Sequence, residues 1–258
     1  MSALVPEPFA FSGKELAGRV ALVTGASRNI GRAIALALAE GGAAVVVAGR
    51  RDRAAVDSVT ETITASGGKA FGVLGDVSRP EDVTAIIEAS LAAFGRLDIL
   101  VNNAAVRDEA PLAELTYEHW RAVMALSLDA PFLMAKAALE PLSRSGQGAI
   151  INIGGLTAYI GARNRSHVVA AKAGLGGLTR ALAHEMAERG VTVNLVSPGL
   201  IETQREGGHR PHHHAVTANL LGRRGTPDEV AAMVRFLSGP AARYVTGQTL
   251  HVNGGAYM

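Results

Sequence analysis

The stretch Thr24-Gly25-Ala26-Ser27-Arg28-Asn29-Ile30-Gly31-Arg32 decides how this chain folds. The apolar run RVALVTG (residues 19–25) leads into it, and a helical pattern over 29–40 follows it. Strand, glycine turn and helix therefore come in that order. Glycines at such a turn let backbone approach a bound group closely, and a helix N-terminus offers N–H donors with a positive dipole end.

Outward from this turn, the same alternation repeats. AAVVVAGR (from Ala43), KAFGVLGDV, RLDILVNNAA, GAIINIG, VTVNLVSPG and QTLHVNGG all read as strands. Helical patterns cover 53–65, the segment after Pro80, a long stretch from Thr116 to about Leu142, and 166–189, with ends good to about two to four residues. A further helix opens at Thr226-Pro227-Asp228-Glu229. The strands are continuous Val/Ile/Leu runs, as a sheet buried on both faces requires. The expected fold class is α/β: a three-layer, doubly wound parallel sheet (Rossmann fold) of about seven strands. Ligands in such sheets bind beyond the carboxyl ends of the strands.

Composition narrows the function. The chain has 258 residues, 48% of them hydrophobic, which suits one large domain at 18–258 after an N-terminal arm at 1–17. It has no cysteine, which excludes a disulfide scaffold, an iron–sulfur site and thiolate zinc sites. Lys+Arg 25 against Asp+Glu 23 leaves a net charge of +2 with no basic stripe, and aromatics are 4%; neither favours nucleic acid. No stretch reads as membrane-spanning, and the beginning MSALVPEPFAFSGKELAG lacks the charge and apolar run of a signal peptide, so the expected compartment is the cytoplasm.

TGASRNIGRA, the NNAA of residues 102–105, the lysine in VVAAKAG, the Pro198-Gly199 pair and the ending VTGQTLHVNGG together resemble the short-chain dehydrogenase/reductase family, in particular its 3-oxoacyl-ACP-reductase-like members. The resemblance runs from Gly18 to Gly255. It implies an NAD(P)-dependent oxidoreductase with a cofactor site at Gly25, Ser27, Arg28, Asn29, Ile30, Gly31, Asp76, Val77, Asn103, Ala104, Lys172, Pro198, Gly199, Ile201 and Thr203. Within it, Asp76 would bond the adenine amine, Val77 would flank the ring, and Thr203 would meet the nicotinamide amide. Asn29 replaces the family's middle glycine, and Asn is the non-glycine residue most at ease in left-handed backbone. After the second strand, Arg50 and Arg51 stand where NAD users carry a carboxylate; with Arg28 they favour a 2′-phosphate, hence NADP(H) over NAD(H).

The family's catalytic pattern is broken. Its members donate a proton from a Tyr four residues before the Lys, with a Ser on the preceding strand end and an Asn in the long central helix. Here Lys172 is retained, but Val168 occupies the Tyr position, Gly155 the Ser position and Ser127 the Asn position. Neither Val nor Gly can do acid–base work. Tyr159, His167, Ser166 and Ser127 are the candidate replacement acids. The expected function is reduction or oxidation at a carbonyl, alcohol or activated double bond; the alternative is a weak or inactive pseudoenzyme that binds cofactor or serves as a subunit. Non-redox chemistry has no positive support.

Of four lysines among 25 cationic residues, Lys172 falls at the family position. His209, His212, His213 and His214 cluster in QREGGHRPHHHAV, but no carboxylate or cysteine recurs at ligand spacing, so no metal site is expected. That segment lies in the expected substrate loop near 200–225. Its Arg and His residues point to a small-molecule substrate of anionic character. The Ala/Gly-rich helix around Lys172 fits a homotetramer or homodimer.

Overall fold

The apolar runs form seven parallel strands; the five inner ones are buried almost throughout, the edge strands at 69–74 and 249–252 only in part, and the polar backbone pairs within the sheet. The computed structural model describes residues 13–106, 108–203 and 219–258. The strands are β1 (Val20–Thr24), β2 (Ala44–Gly49), β3 (Lys69–Leu74), β4 (Ile99–Asn102), β5 (Ala149–Ile153), β6 (Thr192–Pro198) and β7 (Thr249–Val252). They lie in the order β3-β2-β1-β4-β5-β6-β7. The chain order reverses between β1 and β4, which pair in parallel from Ala21↔Ile99 to Val23↔Val101. A crevice at the carboxyl ends of β1 and β4 follows from that reversal.

Two apolar layers cover the sheet. On one face α1 (Asn29–Glu40), α2 (Arg53–Ala65) and α9 (Pro227–Ser238) pack on alternate strand residues such as Val23, Val45 and Val101. On the other, α3 (Pro80–Phe94), α5 (Ala130–Ala137) and α8 (Ser166–Met186) cover Leu22, Val46, Leu100 and Ile150. Leu16, read as part of the arm, is fully buried in the first layer, and Glu15 pairs with Arg235 of α9 at 2.6 Å, so packing begins before Gly18.

The single long helix expected from Thr116 to Leu142 is divided. It runs as α4 (Tyr117–Met124), a π-helical turn (Ala125–Asp129), α5, and α6 (Leu139–Arg144). Two prolines account for the divisions. Pro131 has no N–H for the carbonyl of Ser127, and Pro141 has none for that of Ala137. A short helix α7 (Thr157–Ile160) also intervenes between β5 and α8, where a loop was expected.

A buried polar chain ties α8 to the sheet. Asn102 of β4 donates to Asn152 of β5 at 2.9 Å, Asn152 donates to the Thr179 hydroxyl at 2.9 Å, and that hydroxyl donates to the Leu175 carbonyl at 2.8 Å. Each member is nearly fully buried and satisfied, which fixes α8 along its axis against β5.

Just past the segment bridged to Ile201, α9 begins with a reciprocal cap. The Thr226 hydroxyl accepts from Glu229 N, and the Glu229 carboxylate accepts from Thr226 N at 2.8 Å. Arg223 clasps the same carboxylate at 2.6 and 2.9 Å. The Arg223 hydrogen bonds, then the Thr226 amide, hold the Glu229 carboxyl down at about 2. A depressed folded-state pKa stabilises above the unfolded value near 4.5 and is lost as pH falls towards 2. Glu229→Gln should therefore lower Tm at pH 7 and flatten the fall in Tm between pH 4.5 and 2, read by circular dichroism; an unchanged acid limb would refute the pairing.

Candidate active site

The turn after β1 is held shut by its neighbours. Gly25 has φ +61°, and a Cβ there would lie 2.9 Å from Ala104 Cα. A Cβ on Gly31 would lie 2.2 Å from the Gly25 carbonyl oxygen and 2.5 Å from the Asn103 amide nitrogen. Asn29 adopts φ +51°, the left-handed conformation expected of it in place of glycine. Asn103 donates its side-chain amide to the carbonyls of Thr24 (2.9 Å) and Gly25 (3.0 Å). The Thr24 hydroxyl accepts from the backbone N–H of Asn103 and Ala104 at 3.0 and 3.1 Å. The carboxyl ends of β1 and β4 are thus laced together.

Beside this turn opens a cavity of about 710 Å³. It starts at Gly25, Ser27, Arg28, Asn29, Ile30 and Gly31 and passes Arg50, Asp76 and Val77. It continues over Asn103 and Ala104 and reaches Gly155, Val168, Lys172, Pro198, Gly199, Ile201 and Thr203. The first turn of α1 carries no acidic residue and lines the cavity, so its positive end is not offset by a carboxylate of that turn.

Arg51 lines an adjoining hollow of about 250 Å³ together with Arg50, Asp76, Arg79 and Asp82. Arg79 was not singled out from the sequence. It precedes α3 and reaches the hollow only because β2 and β3 end side by side. Asp76 is engaged on both oxygens: Oδ1 accepts from the Ser78 amide and hydroxyl, and Oδ2 pairs with Arg50 at 2.8 Å. Burial pushes its carboxyl up, but the Ser78 hydrogen bonds and the Arg50 guanidinium outweigh that and hold it below its ordinary value.

At the far end, α8 presents Val168 and Lys172 to the cavity one turn apart. Lys172 is nearly buried and donates Nζ to the carbonyl of Ile153, the last residue of β5, at 2.6 Å. Val168 packs with Val123 and Ala171. Gly155 lies on the cavity wall, and a Cβ there would meet nothing within 4 Å. Arg165, Leu126 and Thr157 complete this end, and none of the three was named from the sequence.

The replacement acids do not gather there. The Tyr159 hydroxyl donates to Thr249 of β7 at 3.2 Å, and its ring packs against His251 and Tyr257. It is absent from the cavity wall because α7 turns it towards β7. His167 is fully buried beside Asp108 and His119, on a different side of α8 from Lys172. Ser166 is exposed and off the cavity. Ser127 sits in the π-helical turn, nearly fully buried, and its hydroxyl has no hydrogen-bond partner among the described residues. The hydrogen bond to a preceding helix carbonyl that is usual for such a serine is not made. His209, His212, His213 and His214, and with them most of the expected substrate loop, lie outside the described residues.

Comparison with known proteins settles the family. Residues 25–257 match the family model described as Enoyl-(Acyl carrier protein) reductase. The chain is 41% identical to the 3-oxoacyl-[acyl-carrier-protein] reductase FabG of Vibrio cholerae, over 94% of this chain and 99% of that one. The chain belongs to the short-chain dehydrogenase/reductase family.

Among solved structures of this family, a dehydrogenase/reductase from Sinorhizobium meliloti superposes with a TM-score of 0.90 at 37% identity, covering 95% of this chain and 98% of that one. A short-chain dehydrogenase from Burkholderia cenocepacia, solved in complex with NADP, gives a TM-score of 0.88 at 35% identity and covers 94% and 99%. Its fold and its glycine turn are those of a family of oxidoreductases. No helix among the described residues is long and apolar enough to cross a membrane. The glycine turn should tolerate no side chain: Gly31→Ala should cost about 1–3 kcal/mol of stability in urea unfolding, since backbone rather than a flexible side chain must move.

Proposed function

We propose that this short-chain dehydrogenase/reductase binds NADP(H) and carries out slow redox chemistry on a carbonyl, alcohol or activated double bond of a small anionic substrate. The observation that carries this reading is the cavity itself. It runs unbroken from the glycine turn to Lys172, yet carries Val and Gly where the family's proton-donating pair stands.

The residues present fit the dinucleotide. The turn can close against Asn103 and Ala104 only because Gly25 and Gly31 lack Cβ atoms, and the amide end of α1 beside it suits a pyrophosphate. Arg50, Arg51 and Arg79 set three guanidinium groups around the adjoining hollow against two carboxylates. That charge suits a 2′-phosphate and supports NADP(H) over NAD(H). Asp76 and Val77 would meet the adenine, and Thr203 and Ile201 the nicotinamide. When bound, the cofactor supplies or accepts hydride.

The chain's own residues then define what remains of the chemistry. Lys172, held by the Ile153 carbonyl, places a positive charge where it can bind a ribose hydroxyl and stabilise developing negative charge on substrate oxygen. Arg165 on the same wall supports an anionic substrate. Val168 and Gly155 hold no proton at that oxygen, which costs typically about 10²–10⁴-fold in rate. The same replacement supports the second reading, a cofactor-binding pseudoenzyme. Gly177 on α8, with nothing within 4 Å of its Cβ position, supports association of copies through that helix.

Two experiments test this. In fluorescence titration NADPH should bind more tightly than NADH, and Arg51→Ala with Arg79→Ala should remove most of that preference while sparing NADH; equal affinities in the parent would refute the assignment. Gly155→Ser with Val168→Tyr should restore the missing pair, since Gly155 opens onto free space, and raise ketone reduction by about 10²–10⁴-fold in an NADPH absorbance assay. Tight NADPH binding with no turnover by the parent on ketones or enones would leave the pseudoenzyme as the function.

A further inference from the structure

His167 is the most unusual polar residue outside the cavity. It is fully buried, and neither ring nitrogen has a hydrogen-bond partner among the described residues. Leaving a polar group unpaired in the interior costs about 1–3 kcal/mol, so an imidazole placed this way calls for a partner. What faces it is specific. Its Nε2 lies 3.8 Å from Asp108 Oδ2. His119 Nε2 contacts the same carboxylate oxygen. One ligand atom from each of the three residues lies within 4.8 Å of the other two.

We infer that Asp108, His119 and His167 form a binding site for a divalent first-row transition ion, zinc in the first instance, that joins the segment after β4 to α4 and α8. Two imidazoles and one carboxylate are a donor set such ions prefer, whereas calcium and magnesium take oxygen donors. Around a tetrahedral zinc with bonds of about 2.0–2.1 Å, donors sit about 3.3–3.5 Å apart. The 3.8 Å between His167 and Asp108 needs a small closure to reach that, while His119 and Asp108, in direct contact, must part to admit the ion.

The supports of the ligands are in place. Asp108 Oδ1 accepts from the Glu109 amide at 2.8 Å, which orients the carboxylate and leaves Oδ2 for the ion. His119 stands at the start of α4, where its own amide donates to the Thr116 cap at 3.1 Å. The next residues of the Asp108 segment are fastened to the chain before α8, with Ala110 N donating to the Asn164 carbonyl at 2.8 Å. Three protein ligands leave a fourth position for water.

None of the three lines the cavity, but Val106, Arg165 and Val168 do. The ion would thus brace the cavity wall from behind. Its binding does not depend on which cofactor or substrate the cavity takes. The sequence offered no sign of this site, because the ligands stand 11 and 48 residues apart and share no spacing motif.

The test must separate this site from the histidines at 209–214. Chelator-treated full-length protein carrying His209→Gln, His212→Gln, His213→Gln and His214→Gln should still bind one equivalent of Zn²⁺ by isothermal titration calorimetry, and its Tm should rise with added Zn²⁺. Adding His119→Ala, at a partly exposed position, or Asp108→Asn should weaken that binding at least about 10–100-fold, with circular dichroism confirming the fold. Co²⁺ in place of Zn²⁺ should give visible d–d absorption that both variants lose. Loss of binding in the four-histidine variant alone, or equal affinity after His119→Ala and Asp108→Asn, would overturn the assignment.

Discussion

Parallel pairing is the constraint on which the rest of this structure depends. Every strand in the order β3-β2-β1-β4-β5-β6-β7 points the same way, so every carboxyl end emerges on one edge. Each return must cross a face of the sheet, which places helices on both sides and requires apolar runs with no polar alternation. The reversal between β1 and β4 then leaves a crevice that no helix can fill. The cavity, the glycine turn, Lys172 and the arginines of the adjoining hollow gather on that edge for this one reason.

Polar contacts decide how sharply that edge is built. Thr24 and Asn103 close the turn between β1 and β4, and the Asn102–Asn152–Thr179 chain fixes α8 against β5. With α8 held, Lys172 reaches the Ile153 carbonyl. The two ends of the cavity are therefore tied to one another through β4, β5 and α8. Retaining Lys172 in a satisfied, nearly buried position beside Val168 is the physical basis for reading this chain as a cofactor-binding oxidoreductase with little acid catalysis.

The central helix shows how a local rule can override a longer pattern. Its apolar periodicity reads as one helix from Thr116 onward, yet Pro131 and Pro141 each withhold an N–H from a carbonyl four residues earlier. Apolar periodicity records which face of a helix is buried and carries no trace of a missing N–H. The outcome is a π-helical turn that buries Ser127 with no hydrogen-bond partner among the described residues. Turns of this kind recur at functional sites because they displace one side chain from the regular helix face.

Read alone, the residues of this chain determined the seven-strand parallel sheet, the family, and the glycine turn with its left-handed Asn29. These are local or periodic properties: a turn needs particular backbone freedom, and a strand or helix carries its own repeat. Tertiary structure decided where each polar side chain points. It turned Tyr159 to Thr249 and away from the cavity, brought Arg79 beside Arg50 and Arg51, and set His167 against Asp108 and His119. Such meetings depend on the packing angle of helices and on where loops cross the sheet, and no spacing along the chain encodes them.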